Sequence, residues 1–155
     1  MINTTLFSQR DPRWASKKLG FSKTLTIGGY GCAITCLTML LNSFGYSETP
    51  DTVNEKLKAG GGYAQETLLY WSRVPAIWPK VKFTYRDFNY QNIKVAWYVY
   101  GKKIPVIVEV NGAPIGGYRH YVLYVGDRYC LDPWDGKGKP TNSYTAVGDV
   151  LYDRT

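Results

Sequence analysis

In GGYGCAITCLTMLLNSFGY, residues 28–46, a cysteine follows a glycine-rich stretch and heads an apolar-periodic segment. A thiol in the first turn of a helix meets the positive end of the helix dipole and unpaired backbone N–H groups, both of which favour the thiolate. The same N–H groups can hold a developing oxyanion. Gly28, Gly29 and Gly31 would let a substrate backbone come close, because no Cβ intervenes. Cys32 therefore reads either as a nucleophile or as a core residue, since free cysteine is among the most buried residue types. Cys36 falls on the apolar stripe of the same segment and Cys130 falls inside a strand pattern, so both are read as core.

A thiolate nucleophile needs an imidazole, and the chain has one histidine, His120, at the head of an apolar strand pattern. Further on, LDPWDG carries Asp132, which could accept a hydrogen bond from that imidazole and fix its tautomer. The plainer reading makes His120 a hydrogen-bonded structural residue and Asp132 a strand-end turn residue ahead of Pro133. Strand parity separates the two readings. A two-residue loop at Gly126-Asp127 turns Asp132 to the face away from His120. A three-residue loop such as 126–128, or a bulge, leaves them on one face as diagonal neighbours, roughly 7 to 8 Å apart at Cα. The catalytic reading requires the second arrangement.

Several elements must position these groups. Residues 1–31 read as an irregular, extended arm ending in glycines. Ala33, Leu37, Leu40, Leu41 and Phe44 form one helical stripe, stopped at Gly45. Thr49 and Pro50 read as N-cap and first residue of a second helix that ends at Gly60-Gly61-Gly62. A third short helix is expected over 65–72, before Pro75, then a strand over 81–88 and a helix over 90–101. Strands follow at 103–110 and, as a pair, within 118–134. Helices first and an antiparallel sheet afterwards predict an α+β fold in one domain, 1–155.

Composition narrows the function classes. The chain has 155 residues, 45% hydrophobic and 20% charged, ordinary for a globular protein. It is 15% aromatic, with 14 tyrosines, which fits strands and a half-wet surface. The net charge of +7 is dispersed rather than blocked. It could reflect a solvated basic surface, or attraction to nucleic acid, an anionic wall polymer or an anionic membrane. Three cysteines make a poor disulfide framework, no close CxxC pair exists, and a single histidine argues against an ordinary zinc site. No apolar run is long enough to cross a bilayer, and the start MINTTLFSQRDPRW lacks a signal-peptide pattern. The expectation is a chain made in the cytoplasm, without membrane insertion.

FSQRDPRWASKKLG, TIGGYGCAITCLTMLLNSFG and HYVLYVGDRYCLDPWDG together resemble the papain-like cysteine peptidases related to bacteriocin-leader, or double-glycine, peptidases. Relatives of that kind include free-standing domains of bacteria and phages, some acting in cell-wall lysis. The resemblance covers the first third and a stretch near the end; residues 46–102 carry little of it. It implies a papain-like fold, an N-terminal helix bearing the cysteine packed on a C-terminal antiparallel sheet bearing the histidine. It implies Cys32 as nucleophile, His120 as base and then acid, and Asp132 as orienting carboxylate, with no cofactor and no metal. Such enzymes commonly place an oxyanion-hole glutamine a few residues before the cysteine, and none stands there. Gln9 could serve only if the arm folds back over the helix start. Trp14, Gly29, Tyr30 and, in the loop before the histidine, Gly117 are candidate substrate-binding residues.

The leading expectation is a cysteine hydrolase of peptide or amide bonds, with peptidoglycan as the preferred substrate and an anionic wall polymer as a further partner, as in a phage endolysin. Such a protein would leave the cytoplasm to act on the wall, or belong to a phage particle. The alternatives are a catalytically silent domain of the same fold that binds a peptide, glycan or structural partner, and a basic, aromatic nucleic-acid-binding surface. No residue order matches a nucleic-acid module, so no specific nucleic-acid partner is expected.

Overall fold

The computed structural model describes residues 1–111 and 119–155; Gly117, expected at the substrate site, lies outside them. A short helix α1, Ile27–Tyr30, runs through Gly31 into α2, Cys32–Ser43. The arm is thus not irregular to its end, because the Thr26 side chain caps α1 by accepting from the Gly29 N–H. Gly45 follows α2 at φ +96°, the left-handed conformation that glycine adopts without penalty.

Every residue of α2 from Ile34 to Leu41 is buried, not only the stripe. A helix apolar on all sides must be covered on all sides. The arm covers one flank, where the Thr4 hydroxyl donates to the Met39 carbonyl, and α3, Pro50–Ala59, covers another. The buried hydroxyls of Thr35 and Thr38 donate back to the Gly31 and Ile34 carbonyls, so no polar group is stranded. Leu40→Ala in this core is expected to cost about 2–5 kcal/mol, read as a lower urea midpoint with an unchanged slope.

The expectation of a helix over 65–72 fails. A single 3₁₀ turn at Trp71–Arg73 leads into α4, Val74–Ile77. Pro75 sits in the first turn of α4, where no backbone donor is needed, so it opens a helix rather than closing one. The expected helix at 90–101 forms as α5, Asn92–Ala96, continuing as a π-helical segment, Trp97–Lys102.

Six strands make one antiparallel sheet: β1, Val81–Asp87; β2, Val106–Asn111; β3, His120–Gly126; β4, Tyr129–Asp132; β5, Lys137–Pro140; and β6, Thr145–Arg154. Their spatial order is β1-β6-β2-β3-β4-β5. β2 starts later than expected because Lys103 takes a left-handed conformation and the Ile104 N–H still bonds back to Tyr98. One face of the sheet, through Ile107, Leu123, Val125, Val150 and Tyr152, packs on α2, α3 and the arm. The other, through Val108, Val110, Val122, Cys130 and Leu151, packs on α5 and its π-helical extension. The fold is the α+β arrangement expected.

The β3–β4 hairpin follows neither simple loop. Asp127 and Arg128, both at positive φ, form the two-residue turn, and Gly126 pairs with Tyr129. Tyr124 then pairs with Cys130 and Leu123 with Leu131, so Val125 is an extra, bulged residue. The Val125 carbonyl is taken up by the Ile2 N–H of the arm at 2.6 Å. Continued along the strands, this register sets Val122 opposite Asp132, and His120 and Asp132 share a face.

Candidate active site

The start of α2 is built by close packing. A Cβ on Gly31 would stand 2.5 Å from the Ile27 carbonyl oxygen, and one on Gly28 would stand 2.9 Å from that of Ala15. These two glycines are therefore required by the chain's own backbone, not by a substrate. Gly29 is exposed, a Cβ there meeting only the Thr26 hydroxyl at 3.4 Å, and Tyr30 is exposed too, so both can border a substrate path in front of Cys32. Cys32 itself is half-buried, whereas Cys36 and Cys130 are fully buried. Burial pushes the Cys36 thiol far above its ordinary range and the Cys130 thiol, with help from Asp132, up to about 12.

His120 and Asp132 are both fully buried, with His120 Nε2 2.7 Å from Asp132 Oδ1. A carboxylate only accepts, so the proton of the neutral imidazole sits on Nε2. Nδ1 has no hydrogen-bond partner. The Cys32 thiol lies close enough to act on the imidazole. Burial works against the imidazolium, but the Asp132 hydrogen bond and the interaction with Cys32 outweigh it and raise His120 to about 9.

Asp132 accepts four hydrogen bonds. His120 Nε2 and the Trp134 N–H, the latter at 2.9 Å, go to Oδ1. Lys139 Nζ, at 2.9 Å, and the Tyr144 hydroxyl go to Oδ2. Burial alone would raise this carboxyl; its donors more than offset that and hold it well below the usual carboxylate range. Sequence spacing did not reveal Lys139 and Tyr144, because a lone lysine and one tyrosine among 14 carry no pattern.

The arm does fold back. The Gln9 N–H donates to the Pro133 carbonyl at 2.7 Å, and Gln9 Nε2 donates to the Gly28 carbonyl at 3.2 Å. One buried residue thus ties the end of β4 to the approach to Cys32. Trp14 does not border the site: its ring is 2% exposed, edge-on to Phe7, with its N–H on the Ser8 carbonyl. It is a core residue that anchors the arm, and its ring fills the interior rather than lining a path to Cys32. A cavity of about 330 Å³ beside α5, lined by Tyr90, Tyr100, Tyr124 and Tyr129 among others, includes none of Cys32, His120 and Asp132.

His120 gains proton affinity on folding, so its contribution to stability is fully present below its unfolded value near 6.5 and is lost as pH rises through about 9. The urea midpoint is expected to fall across that window and to lose this slope in His120→Ala.

Among the described residues, no group of three or more His, Cys, Asp or Glu side chains is placed to hold a metal ion, and no helix is long and apolar enough to cross a membrane. A model of the "Peptidase_C39 like family" matches residues 1–151. No curated protein and no solved structure matches the chain.

Proposed function

The chain belongs to the Peptidase_C39 like family and is a papain-like cysteine peptidase; from that premise we propose that Cys32 is its nucleophile, His120 its base and then acid, and Asp132 the carboxylate that orients the imidazole. One observation carries the assignment: the sole histidine is buried with Nε2 engaged by Asp132, while Nδ1 is left without a partner on an imidazole that feels Cys32.

Nδ1 takes the thiol proton, and the thiolate attacks the carbonyl carbon of the scissile amide. The Cys32 backbone N–H and the second N–H of the Gln9 amide are the proposed donors to the oxyanion. As the C–N bond breaks, the imidazolium passes its proton to the leaving amine, which leaves a thioester on Cys32. Neutral His120 then removes a proton from water, the hydroxide adds to the thioester, and the thiol is expelled with the proton returned to it.

The substrate we propose is the peptide portion of peptidoglycan, with Gly29 and Tyr30 bordering its path. A net charge of +7 suits a negatively charged wall. On this reading the protein acts at the wall after leaving the cytoplasm in which it is made, or as part of a phage particle.

The first test is the pH dependence of iodoacetamide alkylation, read by mass spectrometry, alongside digestion of purified sacculi and of peptides. Cys32 should label fast below pH 8 and slowly in His120→Ala, while buried Cys36 and Cys130 stay unlabelled. Slow labelling at Cys32 that ignores His120 would refute the assignment and favour a silent binding domain. Labelling as expected with intact sacculi but cleaved peptides would refute only the wall substrate.

A further inference from the structure

Asp132 is fully buried, and a buried anion is stable only with a charged or multiply hydrogen-bonded environment. Within the assignment of Cys32, His120 and Asp132 above, His120 meets that need only while it is an imidazolium. It is neutral at two points of the cycle: whenever the thiol holds the proton, and again before it activates water. At those stages the Nε2–H still donates, but its charge is gone.

Lys139 and Tyr144 occupy the other oxygen. Lys139 lies on β5, where Cys130 pairs with Lys139 and Asp132 with Lys137, and its ammonium reaches back 2.9 Å to Asp132 Oδ2. It is held there from the far side by Asp135, also at 2.9 Å. Tyr144, just before β6, donates its hydroxyl to the same Oδ2. Neither residue hydrogen-bonds Oδ1, which is taken by the imidazole and the Trp134 N–H. Two donors on Oδ2 and two on Oδ1 fix the plane of the carboxylate as well as its charge.

We propose that Lys139 and Tyr144 are positioning residues that keep Asp132 a fixed, oriented anion through both protonation states of His120. Lys139 is the permanent cation of the group, and Tyr144 sets the rotation of the carboxylate. Without the ammonium, deprotonating His120 would leave a buried carboxylate with no cationic partner. The last proton of the His120–Asp132 pair would then be held more tightly, and the neutral base that water activation needs would form only at higher pH.

Because the chain contains one histidine, labelling histidine with ¹⁵N reports His120 alone. The titration is read in a Cys32→Ala background from pH 5 to 11, so it depends neither on a substrate nor on the thiol chemistry of the proposed function. Lys139→Met should raise the His120 inflection by at least one pH unit, a tenfold change in proton affinity. Lys139→Arg, which keeps the charge, should leave it within 0.3 unit. Tyr144→Phe, the mildest change, should raise it by about half a unit and broaden the neutral form into a mixture of tautomers; it also keeps the proposal testable if Lys139→Met does not fold. An inflection that stays put or falls in Lys139→Met and Tyr144→Phe would overturn the proposal, since a purely structural pair would lower the melting temperature without raising it. A chain that shows the expected shifts yet cleaves no peptide would leave this pair intact and count against the peptidase assignment alone.

Discussion

Cys32→Ala is expected to lower kcat/KM for any peptide the chain cleaves by at least about 10⁴-fold, because nothing else in the site can form the acyl intermediate. Stability should move by no more than about 0.5 kcal/mol, since Cys32 is only half-buried and fills no core position. The pairing of those two results is the informative part. A loss of activity with an equal loss of fold would say nothing about chemistry. The double variant Cys32→Ala, His120→Ala should be no slower than the single one, because residues acting as a unit do not add. Progress curves with a fluorogenic peptide and urea titrations on the same preparations check all three statements, and a Cys32→Ala chain retaining even a tenth of its activity would remove Cys32 from the mechanism.

Inserting one alanine between Leu131 and Asp132 is expected to reduce activity nearly as far, by about 10²-fold or more, although it removes no reacting group. The bulge at Val125 is what sets Val122 opposite Asp132. β3 is pinned by its pairing with β2, from Val106–Tyr124 to Val110–His120, and by Leu123 in the core under α2. With one residue added to β4 beyond Leu131, and the bulge and the Asp127-Arg128 turn unchanged, Asp132 moves opposite Tyr121 and is presented to the other face. Val125→Ala is the control: it keeps the bulge and loses only buried methyl groups, at a cost of about 1–2 kcal/mol, and should keep most of the activity. If the insertion variant folds and the His120 titration is unchanged, the register does not carry the alignment.

Local signals were legible wherever one residue type dictates local geometry. Gly31 ahead of Cys32, Gly45 after Phe44, and Thr49-Pro50 ahead of α3 marked helix ends because glycine and proline act through their own backbone. Pro75 misled for the same reason: its type announces a boundary but not its direction, and the helix lay after it. Trp14 was misplaced because nearness to the site in the expected fold does not say whether a ring turns inward, and only the packing of Phe7 and the arm decides that. The parity of His120 and Asp132 could be posed from sequence but not settled, since Asp127 and Arg128 hold left-handed conformations without a glycine to advertise them. Gln9, Lys139 and Tyr144 reach the site through contacts between segments far apart in the chain, which no local pattern encodes.

The strand order β1-β6-β2 has a consequence for the newly made chain. β1 and β2 do not pair with each other; each pairs with β6, the last strand to be synthesised. As the polypeptide leaves the ribosome, the segment bearing Cys32 emerges early, while the seam that joins the two parts of the sheet is still being translated. His120 and Asp132 follow, but Tyr144 and the seam itself arrive only with residues 144–154. The nascent chain therefore carries its thiol through most of translation without a finished site around it. On this order β1 is joined to the strands that carry His120 and Asp132 only when β6 enters between β1 and β2.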